Sequence, residues 1–553
     1  MSNVTPLEKR ARKLEKTVRR AAPPEGFDPE GRRIIVHENG QLPAILDQAE
    51  IALAEAPELN LFRHAGRLAR VHHSTEPVET KVRRPAGSLM IFPVEAPHLV
   101  ELLGRAARHE KYDSRTGAMR PCDVPRRIAD SFLARGHWPR LPDLIGFIEA
   151  PTVTLDGRLI CEPGYHDETG MFNAAGDIPG FVRPLEKPSF KDARRALERL
   201  RRLFDTFPFV DEADAVAMIA GIITALERRI LPAAPLFAMS APSPGSGKTL
   251  LCESLAIIAT NRRASVMSLG HDDAEFEKRL GGVLLAGDAV IAIDNIERPL
   301  RGDLICQVAT QQFVRIRPLG GSGMLNVPTH ALLVATGNNL AIIGDLKRRV
   351  LMVRLDAHTE RPEQRSFERD HLAEMQARRG EIIHDALTIV LAYLAAGAPK
   401  IHELYGYGGF EAWDKMVRRP LVWLGCPDPL LTAEALREAD PDLEAMRALF
   451  VAWRECRQIT QAVTAAEVVA AAGGSDGKDS GLDLDLREAL QVVCSEKINS
   501  RRLGNWLRAH RDKIVDGLQL RQAGSDGHAK VARWQVVTAA GSAVSAGSVS
   551  LNA

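Results

Sequence analysis

A chain of 553 residues with 45% hydrophobic and 26% charged positions reads as a soluble, globular protein of several domains. Its formal net charge is +1. That excludes a global field for holding nucleic acid, so any such contact must come from local patches.

In chain order, residues 5–21 form a basic helical pattern that includes Lys9, Arg10, Arg12, Lys13, Lys16, Arg19 and Arg20. We assign 1–32 to a basic N-terminal segment. A Pro-Pro-Glu-Gly stretch at 23–26 ends it. Residues 33–190 read as a mixed α/β domain. Helices are expected at 45–54 and 99–108, and two short strands at 61–72 around Gly66. A hairpin is expected at 152–160, turned by Asp156-Gly157. His166, Asp167 and Glu168 are adjacent in sequence and read as a polar turn rather than a metal site.

Helices over 191–202 and 211–228 lead into a central module at 191–400. An apolar run at 235–239 precedes Pro244-Gly245-Ser246-Gly247-Lys248-Thr249, and a helical pattern at 250–259 follows. Strand, glycine-rich turn and helix is the setting of a phosphate-binding loop. Glycines let backbone N–H groups approach phosphate oxygens, and the helix N-terminus adds positive charge. Lys248 can reach the β- and γ-phosphates, and Thr249 can place its hydroxyl on Mg²⁺. Ser243 and Leu250 flank this loop, and ATP with Mg²⁺ is the expected ligand. Pro242 stands where the full G-x-x-x-x-G-K-[ST] pattern has a glycine, which alters the loop's entry.

A strand at 265–269 and a helix at 272–285 come next. The apolar strand 289–294 ends in Asp294, placed to hold Mg²⁺. Residues 314–329 alternate around Gly320-Gly321-Ser322-Gly323 as a hairpin. Its Arg315 and Arg317 either touch a nucleic-acid backbone or belong to an ordinary connection. A strand at 330–336 runs into Gly337-Asn338-Asn339, where Asn338 can hydrogen-bond a γ-phosphate. Arg348 and Arg349 follow, either as a finger on a neighbour's nucleotide or as a structural ion pair. The fold class is therefore an α/β P-loop NTPase with a parallel sheet.

The motifs PGSGKT (244–249), AVIAIDN (289–295), ATGNN (335–339) and GDLKRR (344–349) occur in that order. The order resembles the AAA+-like ATPases of the superfamily 3 helicase group. More closely, it is similar to the primase-helicase and replication proteins of phages and mobile elements. The Asp156-Gly157 hairpin and Pro163-Gly164-Tyr165 resemble what precedes the ATPase in such proteins, so the likeness covers about 140–430. It implies Mg·ATP hydrolysis, hexameric rings and translocation on single-stranded DNA in a central channel. Many related ATPases carry a water-orienting glutamate where this chain has Asn295; Glu297 is the nearest replacement. Asp483 and Asp485 form a D-x-D, but at the start of a helix, where the helix dipole explains them.

Residues 401–471 read as helical, 472–483 as a linker and 484–538 as a winged-helix-like domain, with a tail at 539–553 expected to be disordered. A helix at 486–494 and a second at 501–511, capped by Asn499 or Ser500, precede a hairpin of 518–521 and 531–536. Arg501, Arg502, Arg508, Lys530 and Arg533 are its candidate DNA contacts. A protein-binding winged helix is the alternative. The seven cysteines contain no C-x-x-C pair, so a reducing, cytoplasmic setting is expected. No apolar run is long enough for a bilayer, and the N-terminus has no apolar signal core. The expected function is that of an ATP-dependent DNA helicase. Its rivals are a regulatory or defence nucleotide switch and a DNA initiator with weak hydrolysis.

Overall fold

Runs such as Val-Ile-Ala-Ile at 290–293 have no polar face, so the sheet they build must be covered on both sides. In the computed structural model they do build such a sheet. The structure describes residues 26–79, 82–270, 272–317, 323–365, 369–402, 404–438, 441–473, 483–494, 497–525 and 531–539. The basic segment at 5–21, the hairpin tip at 318–322, Lys530 and the tail beyond 539 lie outside the described residues. The chain divides into two compact units at Ala433/Glu434.

The largest sheet of the first unit has seven strands. They are β1 (Val78–Glu79), β2 (Val82–Arg84), β3 (Leu236–Ala241), β4 (Ser265–Ser268), β5 (Val290–Ile296), β6 (Leu332–Asn338) and β7 (Val350–Arg354). Their spatial order is β7-β3-β6-β5-β4-β2-β1. The five strands from β3 to β7 run parallel. The helices that follow or precede them include α1 (Phe190–Arg202), α2 (Glu212–Glu227), α3 (Lys248–Thr260), α4 (His371–Ala377) and α5 (Arg379–Ala395). Helices α2, α3 and α5 are buried along most of their length, and their side chains share one core with β3 and β7. A capping box of Asp211 and Asp214 starts α2. Arg354 of β7 donates to both of those carboxylates, fixing the strand to the helix start.

One feature departs from the expected domain division at 190/191. Strand β2 pairs antiparallel with β4, Arg83 opposite Val266 and Val82 opposite Met267. The N-terminal region therefore completes the sheet of the central module. Arg84 of β2 is bidentate to Asp288, with Nε–Oδ1 at 2.9 Å and Nη2–Oδ2 at 2.8 Å. Asp288 is buried, the Arg84 side chain is nearly so at 9% exposure, and Ser265 also donates to Asp288. A separate cluster of Ile35, Leu99, Leu103, Phe132 and Trp138 forms the core of the rest of that region. The Asp156-Gly157 hairpin is present as Thr152–Val153 paired with Leu159–Ile160. Its Val153 N–H and Thr152 hydroxyl donate to Glu227 at the end of α2.

The second unit has a four-stranded sheet, in the order Val463–Thr464, Ala532–Thr538, Leu518–Ser525, Ile514–Val515. Helices Pro441–Glu455, Ala465–Ala471, Leu484–Cys494 and Ser500–Ala509 accompany it. Phe450, Leu490, Leu503, Leu507 and Trp534 are the centre of one core. Val463 pairs with Trp534, so residues ahead of the expected linker already belong to this unit. The helical region expected at 401–471 is divided between the two units for that reason. Among the described residues no helix is long and apolar enough to cross a membrane.

Candidate nucleotide site

The site forms where β3, β5 and β6 end side by side. In a parallel sheet these carboxyl ends face the N-termini of the following helices, which is where such sheets bind ligands. Strand β3 ends at Ala241, and α3 begins at Lys248. In the loop between them Gly245 has φ +77° and Gly247 φ +100°, a region that L side chains rarely adopt. A Cβ on Gly245 would stand 2.8 Å from the Glu363 nitrogen, and one on Gly247 2.9 Å from the Phe207 ring. Both backbone conformation and packing therefore require glycine. Pro242 does not prevent the loop from closing: the Ser246 hydroxyl and the Lys248 ammonium both donate to the Ser243 carbonyl, at 2.8 and 2.9 Å. Burial lowers the Lys248 pKa, while the Asp294 charge opposes that shift.

Asp294 lies at the end of β5, where the pairing with β6 slips between Ile293 and Ile296. Asn295 sits in this irregularity with φ +53°. Thr336 of β6, itself buried, bridges the two residues. Its hydroxyl donates to Asp294 Oδ1 and accepts the Asn295 N–H at 3.2 Å. Thr336 is not among the residues expected from the sequence, where Asn338 is the polar candidate on this strand. The available signal was a hydroxyl inside an apolar strand beside an acid-tipped one. Lys248, Thr249, Leu250, Asp294, Thr336 and Asn338 line one cleft of about 460 Å³, together with Pro244, Gly245, Ser246 and Gly247. Asp294 is the only acid among its described lining residues. Glu297 is exposed, stands outside that lining and accepts from the Asn295 amide at 3.3 Å.

On its other side the loop borders a second cleft of about 460 Å³. Gly245, Ser246, Gly247 and Leu250 belong to both clefts. Phe207, Pro208, Arg365 and His371 also line the second one, beside the charged Arg202, Asp205, Arg369, Asp370 and Glu374, and none of them was singled out from the sequence. The aromatic Thr206-Phe207-Pro208-Phe209 stretch after α1 was the readable hint.

Arg348 and Arg349 end the 3₁₀ turn Gly344–Arg349 and line neither cleft. Arg348 is 60% exposed and pairs with Asp345; Arg349 is 13% exposed and donates to the Asp345 carbonyl at 2.7 Å and to its carboxylate. Burial alone would raise the Asp345 pKa, but hydrogen bonds from Arg348 and Arg349 outweigh it and bring it down. Tyr407 donates to the Arg348 carbonyl at 2.9 Å. Arg315 is exposed on the hairpin of Phe313–Ile316 and Leu325–Pro328, opposite Asn326, and Arg317 is exposed just beyond it.

In the second unit Asn499 caps helix Ser500–Ala509, accepting the Arg502 N–H at 2.8 Å. Arg501 is exposed. Arg508 donates to Asn505 at 2.6 Å, Arg502 to the Cys494 carbonyl at 3.1 Å and Arg533 to the Ala462 carbonyl at 3.3 Å. Arg502 and Arg533 thus brace their own unit's backbone.

No protein-family profile and no curated protein matches the chain. Solved structures do match over long stretches. An apo structure of the NrS-1 C-terminal region covers 80% of this chain and 98% of its own, at 13% identity and TM-score 0.37. An active helicase, SCCmec type IV Cch, covers 87% and 97%, at 12% identity and TM-score 0.32. A JCV helicase covers 43% and 73%, at 12% identity and TM-score 0.19.

Proposed function

We propose that this chain is a P-loop ATPase of the AAA+-like, superfamily 3 type that uses Mg·ATP hydrolysis to move DNA, as a helicase of a phage or mobile element does. The observation that carries the reading is the convergence of Lys248, Thr249, Asp294 and Asn338 on one cleft at the ends of three parallel strands. The donor set fits a triphosphate and its metal. Gly245 and Gly247 leave no room for side chains where phosphate must approach the backbone. Lys248 supplies the fixed cation, and Thr249 and Asp294 would hold Mg²⁺, which when bound neutralises charge on the transferred phosphoryl group. Thr336 keeps the Asp294 carboxylate aimed. Asn338 orients the terminal phosphate. In phosphoryl transfer positioning and charge supply most of the rate, so this set suffices in kind.

The second cleft adds room for a base beside the phosphates. Arg348, the more exposed of the pair, is the better finger for a neighbouring protomer's nucleotide in a ring, hexameric by the family's habit. Arg315 and Arg317 on the hairpin are the candidates for single-stranded DNA in the channel. Arg501 and Arg508 are those for duplex DNA on a winged-helix-like second unit.

One observation favours the slower reading, a nucleotide switch or an initiator with weak hydrolysis. Asn295 occupies the position of the water-orienting acid, and Glu297 turns to the Asn295 amide. ATP turnover with and without single-stranded DNA, run beside a strand-unwinding assay, separates the readings. A helicase shows DNA-stimulated turnover and unwinding that Lys248→Ala abolishes. A switch binds ATP and shows neither.

A further inference from the structure

The second cleft contains a histidine whose hydrogen-bond state is set by its surroundings. His371 opens α4, where Asp370 caps the helix by accepting the Ala373 N–H at 3.1 Å. Its ring meets Phe207 edge-on, with centroids 4.9 Å apart, and Phe204 at 5.4 Å. Phe207 in turn lies against Gly247 of the phosphate loop. His371 Nε2 is 2.8 Å from Ser254 Oγ, six residues into α3 from Lys248. The same Oγ is 2.7 Å from the Leu250 carbonyl.

A serine hydroxyl has one proton to give. A carbonyl oxygen can only accept, so the proton goes to Leu250. The hydroxyl oxygen is then an acceptor for His371, and Nε2 must carry the ring hydrogen. Burial favours the neutral ring by lowering its pKa, against the opposing charges of Glu374 and Asp370. In a neutral imidazole protonated at Nε2, Nδ1 is an acceptor. Nδ1 has no partner among the described residues, and it is not one of the buried polar atoms sealed off without one.

We propose that His371, its tautomer fixed by Ser254, reads the base of the bound nucleotide and selects adenine over guanine. The proposal rests on the reading of the loop as a nucleotide site. Adenine presents an amino donor at its 6-position, whereas guanine presents a carbonyl there. An imidazole acceptor pairs with the first and faces the second lone pair to lone pair, and a site built for a donor rejects the analogue that lacks it. Phe207 offers the ring face on which a base can stack.

The test measures ATP and GTP affinity on the full chain for the wild type, His371→Phe, Ser254→Ala and Lys248→Ala. His371→Phe keeps an aromatic ring between Phe204 and Phe207 and removes the acceptor. The wild type should prefer ATP by roughly tenfold or more, and His371→Phe should lose most of that preference through weaker ATP binding. Lys248→Ala should weaken both nucleotides together and leave their ratio unchanged. A ¹⁵N-histidine spectrum gives a second readout, independent of folding in the variants. The wild-type His371 should show the Nε2–H tautomer, and Ser254→Ala should shift it toward a mixture. If ATP binds but the ATP/GTP ratio survives in His371→Phe, the selector role is overturned and the nucleotide site stands. An Nδ1–H wild-type tautomer overturns it as well. Failure of the wild type to bind either nucleotide overturns both.

Discussion

On the proposed ATPase reading the first side chain to test is Lys248, since no other lysine lines the cleft among the described residues. Lys248→Ala should abolish ATP hydrolysis, and near-normal turnover by the folded variant would remove the phosphate-loop assignment. Thr336→Val tests the bridge found between Asp294 and Asn295. It keeps shape but removes a part-buried hydrogen bond to the Asn295 N–H, so stability should fall by about 1 kcal/mol. Turnover should fall further than ATP affinity, because the Asp294 carboxylate loses its aim. If turnover and Mg²⁺ dependence are unchanged, Thr336 only pins the two strands. The loop was legible because its pattern is local: glycines, lysine and threonine within six consecutive residues. The places of Thr336, Phe207 and His371 in the two clefts were not legible, because strands and helices far apart in the chain bring them there. Glu297 shows the converse. Nearness in sequence made it the candidate for the missing acid, while the irregular end of β5 directs it away from the cleft lining.

At the scale of elements, the parallel strands and their helices were readable from apolar runs that alternate between strand and helix patterns, and the 211–228 helix from its apolar composition. The attachment of β2 to β4 was not, since three residues of Val-Arg-Arg give no periodic signal. Its anchor is the buried Arg84–Asp288 pair. Removing one partner of such a pair leaves an uncompensated buried charge, so Arg84→Ala should cost about 3–5 kcal/mol in unfolding experiments. An Arg84→Met, Asp288→Asn double variant should recover most of that loss; if it recovers none, an uncompensated charge is not what Arg84→Ala costs. A second element test uses Glu227, where α2 meets the 152–160 hairpin. Burial pushes its pKa up to about 8 from 4.5, against hydrogen bonds from Val153 and Thr152. The folded state therefore keeps a proton that the unfolded chain releases. Its contribution to stability is full below pH 4.5 and is lost as pH rises toward 8, by up to about 1.4 kcal/mol per pH unit. Glu227→Gln, which cannot ionise, should flatten the decline of the melting temperature between pH 5.5 and 8. Parallel curves for the two proteins would mean that Glu227 does not titrate there.

For the whole molecule the unit boundary at Ala433/Glu434 sets where the chain can be cut. Ending it after Ala433 should leave ATP binding intact and weaken duplex binding, read by gel shift at two salt concentrations. Equal affinity and equal salt slope would free the second unit of any DNA role. Ending it after Gly473 should instead give insoluble protein, because Phe450 and Val468 would lose Trp534 and Leu503 from their shared core. The ring proposal has its own test. Hydrolysis per protomer should rise with protein concentration, and Arg348→Ala should lower it by roughly 10³-fold with ATP affinity retained. Mixing that variant with Lys248→Ala should restore some activity, and a dead mixture of proven mixed oligomers would deny a finger in trans. The β2 pairing also has a consequence for solubility. A parallel sheet ends in rows of unpaired N–H and C=O groups, which invite strands from other molecules. Here β4 is sheathed by β2, and the sheet stops at the two-residue β1. A chain whose β2 cannot pair would bare Val266 and Met267 of β4. It should form strand-to-strand aggregates on concentration, even where its phosphate loop still binds ATP.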